Sequence, residues 1–302
     1  MTSLLLALPH NEELATRLAH LLPATQGTLT VRAFPDGETY VRVLADCAGR
    51  DVIILAALDR PNDKVMPLTF LADAVREMGA RRVGLVAPYL GYMRQDTRFN
   101  AGEAVTSRSF AATLERCFDW LATVDPHLHR YRTLGDLYRI PARVAHAAPA
   151  LGAWIRDNVS SPVLVGPDSE SAQWVEAVAA VAGAPYFLME KERLGDRQVR
   201  LKAPDVSRWA DLTPVLVDDI ISTAQTMARA AALLQEKGMR APLCAGVHAI
   251  FAAGAREALQ AAGVRTVVTC NTISHPTNAI DVAPALAAAV RQLVLEGEEG
   301  AG

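Results

Sequence analysis

Cysteine, positive charge and long apolar runs are all scarce in this chain, and each shortage excludes a class of protein. Only four cysteines occur in 302 residues, far apart and without a CxxC pair, which argues against a disulfide framework or a zinc site. Lysine and arginine (30) do not outnumber aspartate and glutamate (33), so a nucleic-acid-coating surface is not expected. No apolar run approaches the length of a membrane span.

The composition that remains is that of a globular protein with a sizeable core. The chain is 51% hydrophobic and 21% charged, proportions typical of a folded protein, and its length indicates two domains of ordinary size. The first residues, Met1-Thr2-Ser3, lack the basic flank of a signal peptide. We therefore expect a cytoplasmic protein with reduced thiols and with neither nucleic acid nor membrane as a partner.

Short apolar runs alternate along the chain with segments whose apolar residues recur three and four positions apart. The apolar runs predict strands at Leu4–Leu8, Thr30–Phe34, Val41–Leu44, Val52–Ala56, Val83–Ala87, Trp120–Val124, Val163–Val165, Tyr186–Met189, Val199–Leu201, Val215–Val217, Leu243–His248 and Thr266–Cys270. The other segments predict a first helix capped by Asn11, and further helices at Lys64–Met78, Ser107–Arg116, Pro149–Asn158, Ser171–Ala182, Met227–Lys237, Gly254–Ala262 and Pro284–Leu295.

This alternation predicts an α/β protein with mainly parallel sheets and helices on both faces. The joint is expected near Ile140–Ala148, which divides the chain into domains 1–145 and 146–302. The halves echo each other weakly: Val83–Pro88 occupies a place in the first half like that of Pro214–Asp218 in the second. Two α/β domains of similar build are therefore expected.

The nine residues Asp218–Thr226 are the most informative segment of the chain. They follow the apolar run Pro214–Val217, which predicts a buried strand, and precede a helical pattern that begins at Met227. A strand is thus expected to end in two carboxylates, turn through small hydroxyl residues and open a helix.

The residue types in this segment suit a phosphorylated sugar. The first N–H groups of a helix have no internal partner and carry partial positive charge, and the hydroxyls of Ser222 and Thr223 beside them complete a cradle for a phosphate. Asp218 and Asp219 can hold sugar hydroxyls or magnesium. The simpler alternative is an N-capped helix after a strand, although two adjacent acids are costly to place there without a partner.

A turn rich in Pro and Gly, Phe34-Pro35-Asp36-Gly37-Glu38, joins two predicted strands. A hairpin turn accounts for Pro35 and Gly37 without any further role. The functional alternative has Phe34 stacked on a planar ligand, while Asp36 and Glu38 accept hydrogen bonds from its amino group.

Two loops of the first half carry residues suited to anions or metals. Arg94 follows a predicted strand, and its fork of donors matches the oxygens of a polyphosphate; a surface loop with ion pairs is the alternative. His127 and His129 follow another strand end and would share one side of an extended chain. They are either structural residues or ligands of a metal or phosphate.

In the second half, Asp168 and the run Lys191-Glu192-Arg193 each follow a predicted strand. Asp168 either caps the next helix or contributes an acid to a strand-end site. The charged run is either a solvated hairpin or a lid that brings two cations to a reaction centre.

Taken in order, these signals resemble the ribose-phosphate pyrophosphokinase family, also called phosphoribosyl pyrophosphate synthetases. The resemblance covers nearly the whole chain, and Gly102–Ser107 is most similar to archaeal-type members. It rests on Phe34-Pro35-Asp36-Gly37-Glu38, Asn62-Asp63, Arg94-Gln95-Asp96, Thr123-Val124-Asp125-Pro126-His127, Gly166-Pro167-Asp168, Lys191-Glu192-Arg193 and Asp218–Thr226.

The resemblance implies two tandem phosphoribosyltransferase-type domains, and transfer of the diphosphoryl group of Mg-ATP to the 1-hydroxyl of ribose 5-phosphate. It also implies a homo-oligomer built from dimers, for example a hexamer, because the adenine of one subunit's ATP would be reached from its neighbour. Mg²⁺ is the implied cofactor and ATP the co-substrate.

The resemblance also assigns roles to residues by position. The 5-phosphate would be held by Ser222, Thr223, Ala224, Gln225 and Thr226, and the ribose hydroxyls by Asp218 and Asp219. Magnesium would lie near His127 and Asp168, ATP would contact Arg94 and Gln95, and the adenine would meet Phe34, Asp36 and Glu38. The catalytic loop would carry Lys191 and Arg193.

Two departures from the family pattern keep alternatives open. Ser169, Glu170 and Ser171 follow Asp168 where relatives usually carry Gly-Gly or Gly-Ala. In the phosphate turn, Ser222–Thr226, Gln225 replaces a glycine that eases a tight backbone, so we expect Gln225 to stand at a strained position. A catalytically weak or inactive paralogue that associates with a true synthetase or senses sugar phosphates is therefore the alternative. A phosphoribosyltransferase that consumes the activated sugar is disfavoured by the two full domains and the Phe34–Glu38 motif.

Overall fold

The computed structural model describes residues 2–168, 171–193 and 199–299, which divide into two compact units. The strands are β1 (Ser3–Ala7), β2 (Ala24–Gln26), β3 (Leu29–Ala33), β4 (Thr39–Val43), β5 (Asp51–Leu55), β6 (Arg82–Ala87), β7 (Trp120–Val124), β8 (Ala142–Ala145), β9 (Pro162–Gly166), β10 (Tyr186–Leu188), β11 (Glu190–Arg193), β12 (Val199–Lys202), β13 (Thr213–Ile221), β14 (Leu243–Ala249), β15 (Thr266–Cys270) and β16 (Asn278–Ile280). The helices are α1 (Glu12–Leu21), α2 (Pro61–Glu77), α3 (Thr106–Cys117), α4 (Ala148–Asn158), α5 (Ala172–Ala182), α6 (Gln225–Glu236), α7 (Ala255–Ala261) and α8 (Ala283–Glu299).

The two units have the same topology. The first contains a six-stranded parallel sheet in the order β2-β1-β5-β6-β7-β8 and an antiparallel hairpin, β3-β4. The second repeats this arrangement as β10-β9-β13-β14-β15-β16 with the hairpin β11-β12. The predicted α/β class with two mainly parallel sheets is confirmed. In this repeat β13 corresponds to β5, because both are third in the order of their sheets. The expectation that Val83–Pro88, at β6, is the counterpart of Pro214–Asp218 was therefore wrong by one strand.

The central strands are mostly buried, as a parallel sheet covered by helices requires. Every residue of β5 and of β7 is buried, and both were predicted from the apolar runs Val52–Ala56 and Trp120–Val124. The strands β2, β8 and β16 were not predicted because they are short edge strands of three or four residues, too short for a hydrophobic period to show.

The last helix belongs to the first unit. The first unit comprises Met1–His146 and Val282–Gly302, and the second comprises Ala147–Asp281. The helix α8 packs against α1, β7 and β8, and its Leu286, Val290 and Leu293 are buried there. Conversely, α4 follows the first sheet in sequence but packs against α5 and β16 of the second. The predicted division at residue 145 placed α8 in the second domain, whereas the structure places it in the first unit. The amphipathic pattern of a helix does not specify which unit its apolar face packs against.

Asn11 occupies the N-cap position of α1, but its side chain does not cap the helix as predicted. Its amide nitrogen donates to the carbonyl oxygens of Leu8 and Pro9 at 3.0 Å, and its Oδ1 accepts from the N–H of Ala57 at 2.9 Å. Asn11 therefore joins the ends of β1 and β5, where buried backbone groups need partners. Among the described residues, no helix is long and apolar enough to cross a membrane.

Candidate functional site

The acidic pair of the second unit lies on a strand rather than in a turn. The strand β13 continues four residues beyond the predicted end at Val217, and Asp218 pairs in register with Gly246 of β14. The pairing continues through Ile220 and Ile221, which extend the ladder before the chain turns. The expectation that the strand ends at the carboxylates was therefore wrong, and the pair is held by sheet hydrogen bonds.

Burial and negative neighbours raise the pKa of Asp218 well above its ordinary value. The largest cause is desolvation, followed by the charge of Asp219 and a hydrogen bond with it, and the charge of Asp168 also contributes. The N–H of Asp219 donates to Asp218 Oδ1 at 3.0 Å. Three carboxylates thus share one electrostatic environment, which favours hydroxyl donors or a cation there.

The turn after β13 leads directly into α6. Ala224 takes a left-handed conformation, with φ at +57°, and Gln225 is the first residue of the helix. The tight backbone position is therefore Ala224, and the expectation that Gln225 stands at a strained position was wrong, because Gln225 already has helical geometry.

The start of α6 has the features of an anion site. No side chain among the described residues caps this helix, and the N–H of Ala228 makes the first helical hydrogen bond, to the carbonyl oxygen of Ala224 at 2.8 Å. The N–H groups of the first helical turn before Ala228 have no partner within the helix. Ser222 is half-buried and Thr223 is exposed beside them.

Asp168 lies at the carboxyl end of β9, next to β13 in the sheet. Its Oδ1 accepts from the N–H of Ser171 at 3.2 Å, and the Ser171 hydroxyl donates to the Asp168 carbonyl oxygen at 2.7 Å. Asp168 therefore holds Ser171, which occupies the N-cap position of α5, but it does not cap the helix itself as the structural alternative predicted. Its charge also reaches Asp218. Ser169 and Glu170, the altered part of this turn, lie outside the described residues.

The two predicted catalytic cations, Lys191 and Arg193, lie on the hairpin β11-β12 of the second unit. Lys191 and Arg193 belong to β11, where they pair with Leu201 and Val199 of β12, so the hairpin interpretation of this run is confirmed for the backbone. Their side chains, and the neighbouring Gly195 and Asp196, lie outside the described part of the structure, and the catalytic role stays a prediction.

In the first unit, Phe34–Glu38 forms the tip of the hairpin β3-β4. The N–H of Phe34 donates to the carbonyl oxygen of Glu38 at 2.7 Å, and Asp36 Oδ1 accepts from the N–H of Glu38 at 3.2 Å. Gly37 has φ at +91°, a conformation that glycine adopts easily. The Phe34 ring is 39% exposed, so the tip presents an aromatic ring and two carboxylates to the surroundings.

The Phe34 ring is also held by a neighbouring cation. The guanidinium of Arg32 lies 4.6 Å from the centroid of the Phe34 ring and 4.3 Å from that of Tyr40. The two rings meet edge to face at 6.0 Å. These contacts orient the ring on an otherwise exposed hairpin.

The loop after β6 carries Arg94 and Gln95. Arg94 is exposed, and the carbonyl oxygen of Gln95 accepts from the N–H of Ser107 at the start of α3. The neighbouring Asp96 is buried and forms an ion pair with Arg130 at 3.3 Å. The loop is therefore anchored at Asp96, while Arg94 remains available to an anion.

Three histidines of the first unit, His127, His129 and His146, follow the strands β7 and β8. The rings of His127 and His129 lie 6.0 Å apart. The residue that pairs with the preceding acid is His146, at the end of β8, whose Nδ1 lies 2.9 Å from Asp125 Oδ1. Asp125 pairs with a residue 21 positions along the chain, and no local pattern indicated this contact.

No group of three or more metal-ligating side chains occurs among the described residues. Mg²⁺ is commonly held by one or two carboxylates together with water and substrate phosphates. Asp168 in the second unit and His127 in the first remain the predicted residues for it.

Comparison with known proteins gives a consistent result over both units. Residues 3–117 match the model of the N-terminal domain of ribose phosphate pyrophosphokinase, and residues 133–285 match that of the phosphoribosyl transferase domain. A ribose-phosphate pyrophosphokinase from Methanopyrus kandleri is 34% identical over 292 residues, which are 96% of this chain and 99% of that protein. One from Thermococcus kodakarensis is 33% identical and covers 85% of this chain and 89% of its own. The crystal structure of phosphoribosylpyrophosphate synthetase from Mycobacterium smegmatis has a TM-score of 0.83 at 28% identity, covering 97% of this chain and 99% of that one.

Proposed function

Because the chain belongs to the ribose-phosphate pyrophosphokinase family, we propose that it transfers the β,γ-diphosphoryl group of Mg-ATP to the 1-hydroxyl of ribose 5-phosphate. The products would be phosphoribosyl pyrophosphate and AMP. Membership makes the chain a diphosphate-transferring enzyme of nucleotide biosynthesis. The observation that carries the finer proposal is the acidic pair Asp218-Asp219, which only Ile220 and Ile221 separate from the hydroxyl turn that opens α6.

Ribose 5-phosphate suits this part of the second unit because it has a dianion at one end and a diol in the middle. The phosphate would be held by the N–H groups and hydroxyls of Ser222–Thr226 at the start of α6. The ribose hydroxyls would donate hydrogen bonds to Asp218 and Asp219, and such donors reduce the electrostatic repulsion between the two carboxylates.

ATP, the diphosphoryl donor, would be held by residues of the first unit from two neighbouring subunits. Arg94 and Gln95 would contact the phosphates of ATP, and Phe34, Asp36 and Glu38 would recognise the adenine bound to a neighbouring subunit. The exposed hairpin tip suits this role, since a ring that is held but uncovered can stack on a base. This arrangement would require a homo-oligomer.

The reaction needs positioning and charge neutralisation more than covalent catalysis. The 1-hydroxyl oxygen would bond to the β-phosphorus as the bond between that phosphorus and the α-phosphate oxygen breaks, AMP would leave, and the hydroxyl proton would pass to solvent. Magnesium near Asp168 and His127 would neutralise the phosphate oxygens. Lys191 and Arg193 would stabilise the negative charge that develops on the leaving AMP.

One assay tests this proposal. Purified protein is incubated with ribose 5-phosphate, ATP and magnesium, and AMP and the diphosphorylated sugar are measured. Sustained AMP formation that requires ribose 5-phosphate would support the proposal. Absence of AMP together with measurable ribose 5-phosphate binding would contradict it and revive the weak paralogue, which the names of the relatives do not favour.

Diphosphate release from the activated sugar and a base, without AMP formation in the first assay, would instead indicate a phosphoribosyltransferase. In both assays the wild type is compared with the Asp218→Asn variant, which keeps the size of the side chain and one acceptor oxygen but removes the charge.

A further inference from the structure

The carbonyl oxygens of the phosphate turn are held by the loop that follows β14. The N–H groups of Ile250 and Phe251 donate to the carbonyl oxygen of Ile221 at 3.1 and 2.9 Å. The N–H of Ala252 donates to the carbonyl oxygen of Ser222 at 3.0 Å. Two successive carbonyl groups at the start of the turn are thus directed toward this loop.

These contacts also determine where the next N–H groups point. In a trans peptide the C=O and the N–H of the same unit point in opposite directions. Because the carbonyl groups of Ile221 and Ser222 face the loop, the N–H groups of Ser222 and Thr223 face away from it. They therefore add to the donors at the start of α6, on the side where the proposed phosphate would bind.

Phe251 holds this loop in an uncommon conformation. Its φ is +35°, a positive value that is unusual for a bulky residue and persists only where surrounding contacts enforce it. The ring of Phe251 is stacked on that of His275, with centroids 4.5 Å apart and planes at 13°. Burial, and to a smaller extent Arg256, lowers the pKa of His275, which favours a neutral ring in this stack.

His275 is in turn fixed by the turn between β15 and β16. Its N–H donates to Asn278 Oδ1 at 2.9 Å, and its Nδ1 lies 2.8 Å from Thr277 Oγ1. The Asn278 amide nitrogen donates to Thr269 Oγ1 and to the carbonyl oxygen of Cys270. A continuous set of contacts therefore connects the end of β15 to the phosphate turn.

We propose that Phe251, held by His275, is a positioning residue for ribose 5-phosphate: it fixes the loop that orients the N–H groups of Ser222 and Thr223 toward the phosphate. This inference rests on the proposed function of the turn and adds a residue to it that does not touch the ligand. Neither residue was a candidate from the sequence, because Phe251 and His275 are remote from the Asp218–Thr226 segment along the chain.

The test compares variants that remove the stack with variants that keep it. Phe251→Ala and His275→Ala remove it, whereas Phe251→Tyr and His275→Phe retain two aromatic rings. Binding of ribose 5-phosphate is measured by calorimetry, and KM for each substrate and kcat are measured in the AMP assay. The wild-type protein and all four variants are compared for helix content and for Tm.

We expect Phe251→Ala and His275→Ala to weaken ribose 5-phosphate binding, and to raise its KM, by about tenfold or more, the scale for misdirected hydrogen bonds to a charged group. We expect KM for ATP to stay within about threefold of the wild type, and the two aromatic variants to bind the sugar phosphate like the wild type.

Unchanged ribose 5-phosphate binding in both alanine variants would overturn the inference. An equal rise in the KM for both substrates, or equally weak binding in the aromatic variants, would do the same, because it would indicate a general structural defect. If Phe251→Ala does not fold, the comparison of His275→Ala with His275→Phe decides. A wild-type protein that forms no AMP would refute the proposed function, whereas weakened binding of ribose 5-phosphate in the alanine variants would still support the positioning role.

Discussion

His146 Nδ1 lies 2.9 Å from Asp125 Oδ1, and the two residues come from the ends of the neighbouring strands β8 and β7. The hydrogen bond with Asp125 is the largest cause of a raised pKa at His146. The N–H of Asp125 also donates to the carbonyl oxygen of Ala145 at 3.1 Å. This pair fixes the start of the segment that carries His127.

A raised histidine pKa predicts a pair that stabilises the fold at low pH. Its contribution is complete below the ordinary value of 6.5 and is lost as the pH rises through the raised value of the folded protein. The side chain of His146 is 71% exposed, so we expect less than about 1 kcal/mol after screening by solvent. The measurement is the Tm of wild type and His146→Gln between about pH 5.5 and pH 8.5.

The difference in Tm should be largest at the acidic end and should vanish at the alkaline end. Asp125→Asn is the matched control. At low pH the double variant Asp125→Asn/His146→Gln should have the same Tm as Asp125→Asn alone, because the Asp125 change already removes the pair. A difference that grows with pH would contradict the sign of the shift.

Removing the charge of Asp218 should stabilise the protein while it impairs the reaction. Asp218→Asn relieves a desolvated carboxylate that faces the charges of Asp219 and Asp168, and Asn keeps an oxygen for the Asp219 N–H. We expect Tm to rise by roughly 2–4 °C, the shift that about 1 kcal/mol produces in a domain of this size. We expect kcat/KM for ribose 5-phosphate to fall at least about tenfold.

Scanning calorimetry and the AMP assay measure these two effects separately. Asp211→Asn, at an exposed position of the same unit, is the control and should change neither quantity. A lower Tm in Asp218→Asn would show that the carboxylate is stabilised by the fold rather than strained by it.

Lys191 should be required for turnover but not for folding. Lys191→Ala should lower kcat by about 10²- to 10³-fold, the cost of removing one electrostatic donor from a transition state. Lys202 lies on the partner strand of the same hairpin, is exposed, and supplies the control Lys202→Ala. Steady-state kinetics with unchanged circular dichroism would check this, and near-wild-type turnover of Lys191→Ala would remove that residue from the mechanism.

Phe34 should matter for ATP and not for the sugar phosphate. Phe34→Ala is expected to raise KM for ATP by about 5- to 100-fold, the range for loss of a base stacked on an aromatic ring. KM for ribose 5-phosphate should not change, because that ligand is assigned to the second unit. Phe70→Ala is a fitting control, since Phe70 is also 39% exposed but lies on α2. Equal effects of the two changes on ATP would refute the specific role of Phe34.

The strands and helices of this protein were largely predictable, because local periodicity and apolar runs determine where such elements form. The strand β7 occupies exactly the run Trp120–Val124 that its apolar residues indicated. The segment from Asp218 to Thr226 was recognisable for the same reason: its carboxylates, hydroxyls and helix start are adjacent in the chain.

Only the tertiary structure decided which distant residues meet. The packing of α8 on the first unit, the pairing of Asp125 with His146, and the stacking of Phe251 on His275 all join residues that are far apart in sequence. Such contacts depend on strand order and on which apolar faces remain open, and a local pattern carries no information about either. The amino-acid sequence by itself determined the elements and the chemistry at the strand ends, and the packing of the sheets determined how these groups are held.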